Sequence, residues 1–326
     1  MDNPEAIPIY DLAISARVGW QAHSLSNAGT NGSNRTMPRR QLLADGTVTD
    51  ACSGEIVKHH HAVLTAEYLT ALGTPLCPAC ATRDGRRAAA LVEHPDYKGL
   101  TMTRILHGCG LCDIHGFLIT AKNAGTKNNT EDRERLAKNS VVDFAYTLAL
   151  PGQFAESDQL NTRSGTAKEG QMLMKKSVRS GEYAIGMRYS GVAIGVDTYH
   201  WQLLVTDPVE RLRRHQSVLF ALRDWILSPD GAMTATLLPH LTGLQGAIVV
   251  KTSVGRAPLY SALMDQFVPQ LTAMAGPSCI ILPFDSPAVF YAAMERLITR
   301  SYPCLPAPQP LQGREPTDLT TAGTPA

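Results

Sequence analysis

Four cysteines stand in two C-x-x-C pairs, Cys77 with Cys80 in CPAC and Cys109 with Cys112 in CGLC, and 28 residues separate the pairs. Each pair lets two thiolates reach one ion, so the two together can close a four-sulfur tetrahedral zinc site of the structural kind. The separation is longer than the commonest zinc-ribbon spacing, and the same four residues could instead be unrelated free thiols. Cys52, Cys279 and Cys304 fall outside the pattern and read as structural or incidental. Histidines beside a CPAC segment invite comparison with zinc deaminases, whose signature is H-x-E followed later by P-C-x-x-C. That comparison fails, because His61 is followed by Ala62 and Val63, and Leu76 separates Pro75 from Cys77. His59, His60 and His61 are consecutive, and on a helix they would point to different sides, so they cannot all ligate one ion. No catalytic constellation is expected, and the chain reads as a binding protein.

A second chemistry is concentrated between Phe154 and Gly181, a stretch without an apolar period that reads as a long loop. From Arg163 to Arg188 there are six basic residues, Arg163, Lys168, Lys175, Lys176, Arg179 and Arg188, against the two acids Glu169 and Glu182, a local net of +4 in a chain whose total is +1. Met172, Leu173 and Met174 lie directly before Lys175 and Lys176. Cations beside an apolar tip can hold phosphates while a side chain wedges between bases. A solvated hairpin with incidental lysines is the plainer alternative.

A chain of 326 residues with 44% hydrophobic content can bury a real core in one elaborated domain or two. No apolar run reaches the roughly 18 residues that span a bilayer, and the first residues lack the pattern of a signal peptide, so a soluble cytoplasmic protein with no membrane partner is expected. A net charge near zero argues against an indiscriminate duplex binder and requires any nucleic-acid role to use a local groove.

The elements that would position these groups read as follows. Residues 12–18 alternate as a half-buried strand. The Asn- and Gly-rich 23–46 stretch, punctuated by Arg35, Arg39 and Arg40, reads as an extended loop. Residues 55–72 form a helix, with Ser53 and Gly54 as its starters, that puts Val57, His60, His61, Leu64 and Tyr68 on one face and Lys58 off it. Residues 141–150 are a strand that Pro151 and Gly152 end, and 182–197 either one long strand or a strand with a bulge at Ser190 and Gly191. Asp207 and Pro208 start a helix to Leu227 with Leu212, Leu219, Leu222 and Ile226 as its buried stripe and Arg211, Arg213 and Arg214 as its solvated face. Strand 246–254, helix 257–271, strand 278–284 and helix 287–299 follow, and the segment beyond Tyr302, with six of the 21 prolines, reads as a disordered tail. The fold class is α+β, a split βαβ sheet of ferredoxin-like plan with an insertion and a protruding hairpin. No aromatic RNA-binding motif lies on the candidate sheet strands.

Six stretches in this order, the first strand with HSLSNAGTNG, then MPRRQ, SGEIVKHHHAVL, GCGLCDIHGFL, KNSVVDFAYTLALP and KKSVRSGEYAIGMRYSGVAIG, resemble the DevR family of CRISPR-associated autoregulators, the repeated backbone subunits of type I Cascade complexes. The resemblance covers most of residues 9–200, with subtypes I-B and I-A the nearest expectation. It implies an RRM-like palm over 1–44 and 116–300, an inserted finger domain over 45–115 carrying the zinc, a thumb over 154–181, and a tail over 302–326. It also implies crRNA, target DNA read through the guide, further copies of the chain and other Cascade subunits as partners. By matching position, Arg39, Arg40 and Lys58 would hold guide-RNA phosphates, with Lys175, Lys176 and Arg179 doing so from the thumb and Met172 and Met174 as wedge residues. Arg35, Arg163 and Lys168 complete the expected RNA-binding set. The alternative to this reading is a zinc-containing nucleic-acid-binding protein outside CRISPR, and behind it a zinc-dependent hydrolase or deaminase.

Overall fold

The computed structural model describes residues 6–31, 35–93, 99–120, 135–164 and 171–306. The chain begins with β1 (Ile7–Ile9) and β2 (Asp11–His23), followed by β3 (Asn27–Asn31), β4 (Arg35–Pro38), β5 (Arg40–Leu42) and β6 (Val48–Cys52). Helix α1 (Gly54–Ala71) leads into the cysteine segment with α2 (Pro78–Ala81), α3 (Met102–Gly108) and α4 (Gly110–His115). Short strands β7 (Phe117–Ile119), β8 (Leu136–Lys138) and β9 (Val142–Phe144) precede two long ones, β10 (Thr147–Ser164) and β11 (Gln171–Tyr189). The remainder is β12 (Val196–Asp197), β13 (Gln202–Leu203), α5 (Pro208–Leu227), β14 (His240–Lys251), α6 (Phe267–Met274), β15 (Cys279–Phe284), α7 (Pro287–Arg300) and β16 (Ser301–Pro303).

The main sheet runs β15-β14-β2-β11-β10-β6-β5, each neighbour antiparallel. Its centre is built from β2, α1, β10, β11, α5 and β14 in chain order, and the four strands lie side by side as fourth, first, third, second. Strand period explains the core: Leu12, Ile14, Ala16, Val18 and Trp20 of β2 are all buried on the helix-covered face. On the other face Ala13, Ala247 and Val249 are capped by Ala257, Ala262, Phe267 and Leu271.

Several expectations need correction. Residues 154–164 and 171–181 are strands where a loop was expected: β10 and β11 pair from Phe154 with Gly181 out to Ser164 with Gln171. Its polar alternation hid the strands, because both faces of a projecting ribbon meet water and no apolar period is required. Pro151 and Gly152 do not end the preceding strand. The register shifts between Ala149 and Phe154 with Gly152 at φ 72°, a bulge, while β6 pairs only with Thr147 and Leu148, so the proline interrupts no further ladder on that side. The 23–46 stretch contains three short strands, and β4 gains its place by parallel pairing with β11 at Arg35–Lys175 and Thr36–Lys176, a partner about 140 residues away that no local pattern encodes.

Helix α1 starts where expected, with Ser53 accepting from the Ile56 N–H, but its buried face is Val57, His61, Ala62, Thr65, Ala66 and Leu69. Small Ala62 and Ala66 belong to that face, while Tyr68 lies on the flank and stacks on Phe220 of α5 with centroids 4.7 Å apart. Helix α1 falls inside the expected 45–115 insertion, yet it lies alongside α5. Asp207 caps α5 as expected, but Arg211 and Arg214 are buried at 4% and 0% exposure. Each is paid for by partners that sequence cannot show: Arg211 donates to the Ile194 and Cys304 carbonyls, at 3.1 and 2.8 Å, and Arg214 binds Asp113. The expected helix over 257–271 is displaced to α6, Phe267–Met274; the segment before it is irregular, and Arg17 donates to its Ala262 and Leu263 carbonyls at 2.7 and 3.4 Å. The start of the expected tail is ordered: Ser301–Pro303 pairs in parallel with Ile7–Ile9, and residues 307–326 lie outside the described residues.

Candidate nucleic-acid interface and cysteine cluster

The strand register decides which basic side chains share a surface. Lys175 is paired with Leu160 on one side and Arg35 on the other, whereas Lys176 is paired with Gln159 and Thr36. Directly paired residues share a face and consecutive ones do not, so the two lysines point to opposite faces of the ribbon. Lys175 is exposed on the face of Arg35 and Asp158; Lys176 reaches Thr236 Oγ1 at 3.4 Å on the other, the face of Met174. Among the described residues no carboxylate pairs with either lysine.

On the Lys175 face, Arg35 Nη2 lies 3.1 Å from Asp158 and 3.8 Å from Glu156, and Arg40 is also paired with Glu156. Ser177 Oγ donates to Glu156 at 2.7 Å. Both side chains remain about two-fifths exposed, at 38% and 43%. Arg39 is turned inward: its Nε donates to Ser26 Oγ at 3.1 Å and its Nη2 to the Asn27 carbonyl at 3.2 Å.

Arg179 corrects the expectation of a phosphate contact from the hairpin. It is 1% exposed, lies 3.0 Å from Asp50 and donates to the Ser26 carbonyl at 2.6 Å, so its guanidinium is spent inside the protein. Asp50 also accepts from the Tyr183 hydroxyl at 2.8 Å, and His23 Nε2 lies 2.8 Å from that hydroxyl. With the tyrosine proton committed to Asp50, His23 donates from Nε2 and accepts the Leu25 N–H on Nδ1. Burial, then Arg179, lowers the His23 imidazole to about 3, and it stays neutral. Burial raises Asp50, opposed by Arg179 and Tyr183. This buried network anchors the ribbon to the sheet and fixes the Ser26–Asn27 turn that Arg39 grips from outside. Sequence reasoning missed Asp50, Tyr183, Glu156 and Asp158; the only available signal was polar residues at inward positions of a strand period.

Lys58 shares none of these contacts. It is half-buried on α1, and burial followed by the nearby Arg87 lowers its pKa, with Asp143 opposing. Met172 and Arg163 are register partners near the hairpin tip, and Lys168 lies outside the described residues.

Cys77, Cys80, Cys109 and Cys112 do converge. All four are buried and their sulfurs lie within 4.8 Å of one another, with Cys80 to Cys112 at 3.6 Å and Cys77 to Cys112 at 3.9 Å. A tetrahedron with metal–sulfur bonds of about 2.3 Å has edges of about 3.8 Å, so the donor set fits a closed metal site. The local cause is helix capping: Cys77 and Cys109 are the N-caps of α2 and α4, which places Cys80 and Cys112 three residues on, and the Cys112 N–H donates to Cys109 Sγ at 3.3 Å. Asp113, next in sequence, is buried and binds Lys138 at 3.2 Å, Arg214 at 2.9 Å and the Gly195 N–H at 2.8 Å. The cysteines also join the main core cluster. The lobe is welded to α5 and the sheet.

The molecule is thus an α+β protein with an antiparallel sheet, a long two-stranded ribbon carrying cations at its base, and a buried four-cysteine cluster. Among the described residues no helix is long and apolar enough to cross a membrane. The sequence matches, over residues 14–269, the family described as CRISPR-associated negative auto-regulator DevR/Csa2, and the chain belongs to that family. Two solved structures are similar to it. A chain of a CRISPR RNA-guided surveillance complex, pre-nicking, aligns with TM-score 0.49 and 13% identity over 87% of this chain and 99% of its own. A chain of another CRISPR RNA-guided surveillance complex aligns with TM-score 0.46 and 12% identity over 87% and 98%. No curated protein matches the sequence.

Proposed function

We propose that this chain is a non-catalytic backbone subunit of a type I Cascade complex, one of several copies that line a crRNA, hold its phosphates and present guide bases to target DNA. The observation that carries this reading, in a chain of the DevR/Csa2 family, is the base of the ribbon: half-buried Arg35 and exposed Arg40 come from the N-terminal third and exposed Lys175 from about 140 residues after Arg35, on one face. In this reading the fourth-first-third-second strand order is an RRM-like palm, the β10–β11 ribbon is the thumb, and the cysteine segment within 45–115 is a finger pinned by structural zinc. Phosphate contacts fall to Arg35, Arg40 and Lys175 on one face and Lys176 on the other, beside the wedge candidate Met174, with Arg163 and Met172 farther out along the ribbon and Lys168, outside the described residues, assigned by the resemblance alone. Arg39 shapes the turn beneath, and Lys58 lines the approach along α1. The guide reads sequence by base pairing while the protein holds backbone shape.

The test is the nucleic acid that accompanies the purified protein. Absorbance ratio and extracted RNA length should report a single-stranded RNA of defined size, and protein freed of it should rebind RNA of any sequence with affinity that falls steeply with salt. Preparations free of RNA that also fail to bind single strands at low salt would reject the reading.

A further inference from the structure

Two of the three cations at the ribbon base, Arg35 and Arg40, are not open. Arg35 is held by Asp158 and Glu156, and Arg40 by Glu156, across the boundary between β4–β5 and β10. Glu156 is itself fixed by Ser177 on the neighbouring strand. Both carboxylates lie on the ribbon face that carries Lys175, since Ser177 is the register partner of Asp158 and Leu160 that of Lys175. They serve no buried ion pair, and their partners Arg35 and Arg40 have side chains that stay about two-fifths exposed. A surface shaped only to attract phosphate would not place two acids there, because each cancels a cation and repels the incoming anion.

Resting on the proposed function, we infer that Glu156 and Asp158 are specificity-determining residues: built-in counter-ions that occupy Arg35 and Arg40 until an RNA backbone displaces them. The chemistry selects the class of ligand. An isolated phosphate or a mononucleotide exchanges one carboxylate for one phosphate and still meets the displaced acid at close range, so it gains little. A strand whose successive phosphates engage Arg35, Arg40 and Lys175 together makes its second and third contacts intramolecularly, and the combined contacts outweigh the two displaced pairs. The ligand is therefore a continuous single-stranded polyphosphate backbone. Lys175 has no carboxylate partner among the described residues and makes the first contact.

The test compares the RNA-freed wild type with Glu156→Gln/Asp158→Asn, Asp158→Asn and Lys175→Ala, binding a labelled 30-nucleotide single-stranded RNA near 0.1 M salt, with inorganic phosphate and AMP as competitors. The double variant should bind the RNA roughly threefold to tenfold more tightly, and its binding should become sensitive to millimolar phosphate or AMP that the wild type ignores. Asp158→Asn leaves the Ser177–Glu156 bond in place and should show a smaller gain of the same sign, which keeps the inference testable if the double variant folds poorly. Lys175→Ala should weaken binding. Unchanged or weaker RNA binding by both carboxamide variants, with wild type binding normally, overturns the inference and leaves the proposed function standing. Failure of wild type and every variant to bind RNA overturns the function, and the inference with it.

Discussion

The cysteine cluster and the ribbon base both gather residues that are far apart in sequence, but they do it by opposite physics. Around the cysteines everything is dry: four thiols, the Asp113–Lys138–Arg214 cluster and the His61–His115 pair, whose ring nitrogens lie 3.0 Å apart, are all buried. At the ribbon base the anchoring Asp50–Arg179–Tyr183 network is buried, but Arg35, Arg40 and Lys175 meet water. Buried charges are costly to leave unpaired, whereas exposed pairs exchange partners at little cost. The lobe is consequently built to hold one arrangement and the ribbon base to trade contacts.

Mutations should separate the two regions into stability and affinity. The largest effect expected is from Cys112→Ser, which should remove one equivalent of zinc per chain by elemental analysis and lower unfolding free energy by several kcal/mol. Because the lobe shares the main core, hydrogen exchange should show loosening in α5 as well as in residues 77–115. Loosening confined to the lobe, or less than half an equivalent of zinc in wild type prepared without chelator, would break the contrast. Next is Arg214→Ala, which leaves Asp113 buried with one partner fewer and should cost about 3–5 kcal/mol by denaturant unfolding while RNA affinity per folded molecule is unchanged. A cost below 1 kcal/mol would show that water relaxes the site.

Acid should act on the buried side of the comparison. Burial lowers His23, His61 and His215 each to about 3 from an ordinary value near 6.5, so between those limits the unfolded chain binds more protons and stability rises with pH. Asp11, raised to about 6 mainly by burial, has the opposite sign over about 4 to 6 and offsets one histidine, while His115, also lowered by burial, is offset by Asp50, also raised by it. The net of about two protons predicts a loss on the order of 2–4 kcal/mol between pH 6.5 and 5, read from unfolding curves at each pH. Flat stability over that range would mean these histidines are not held neutral. The smallest effect on stability belongs to Lys175→Ala and Lys176→Ala, under about 0.5 kcal/mol each, while each should flatten the salt dependence of RNA binding by about 0.7. Since the two lysines lie on opposite faces, loss from only one of them would identify the face that carries the strand.

The cysteine site was legible because its ligands are local pairs: a C-x-x-C at a helix N-cap needs only three residues to set two sulfurs side by side, and only the meeting of the two pairs required the fold. The ribbon was less legible. Its charge was plain, but the stretch read as a loop because its strands are polar on both faces. Arg179 was indistinguishable from its exposed neighbours until β11 placed it against Asp50. The same holds for Arg211 and Arg214, which a helical wheel assigns to water and which tertiary partners make tolerable inside.

The sequence by itself determined the helix starts at Ser53 and Asp207, the core-facing period of β2, the paired cysteines and the concentration of basic residues, because these depend on interactions within a few residues. Only the tertiary structure decided which cation is buried and which is offered, which carboxylate answers it, and that Lys175 and Lys176 part to opposite faces. Those outcomes depend on strand register and on partners more than a hundred residues away, and pairing energy over such distances leaves no periodic trace in the chain.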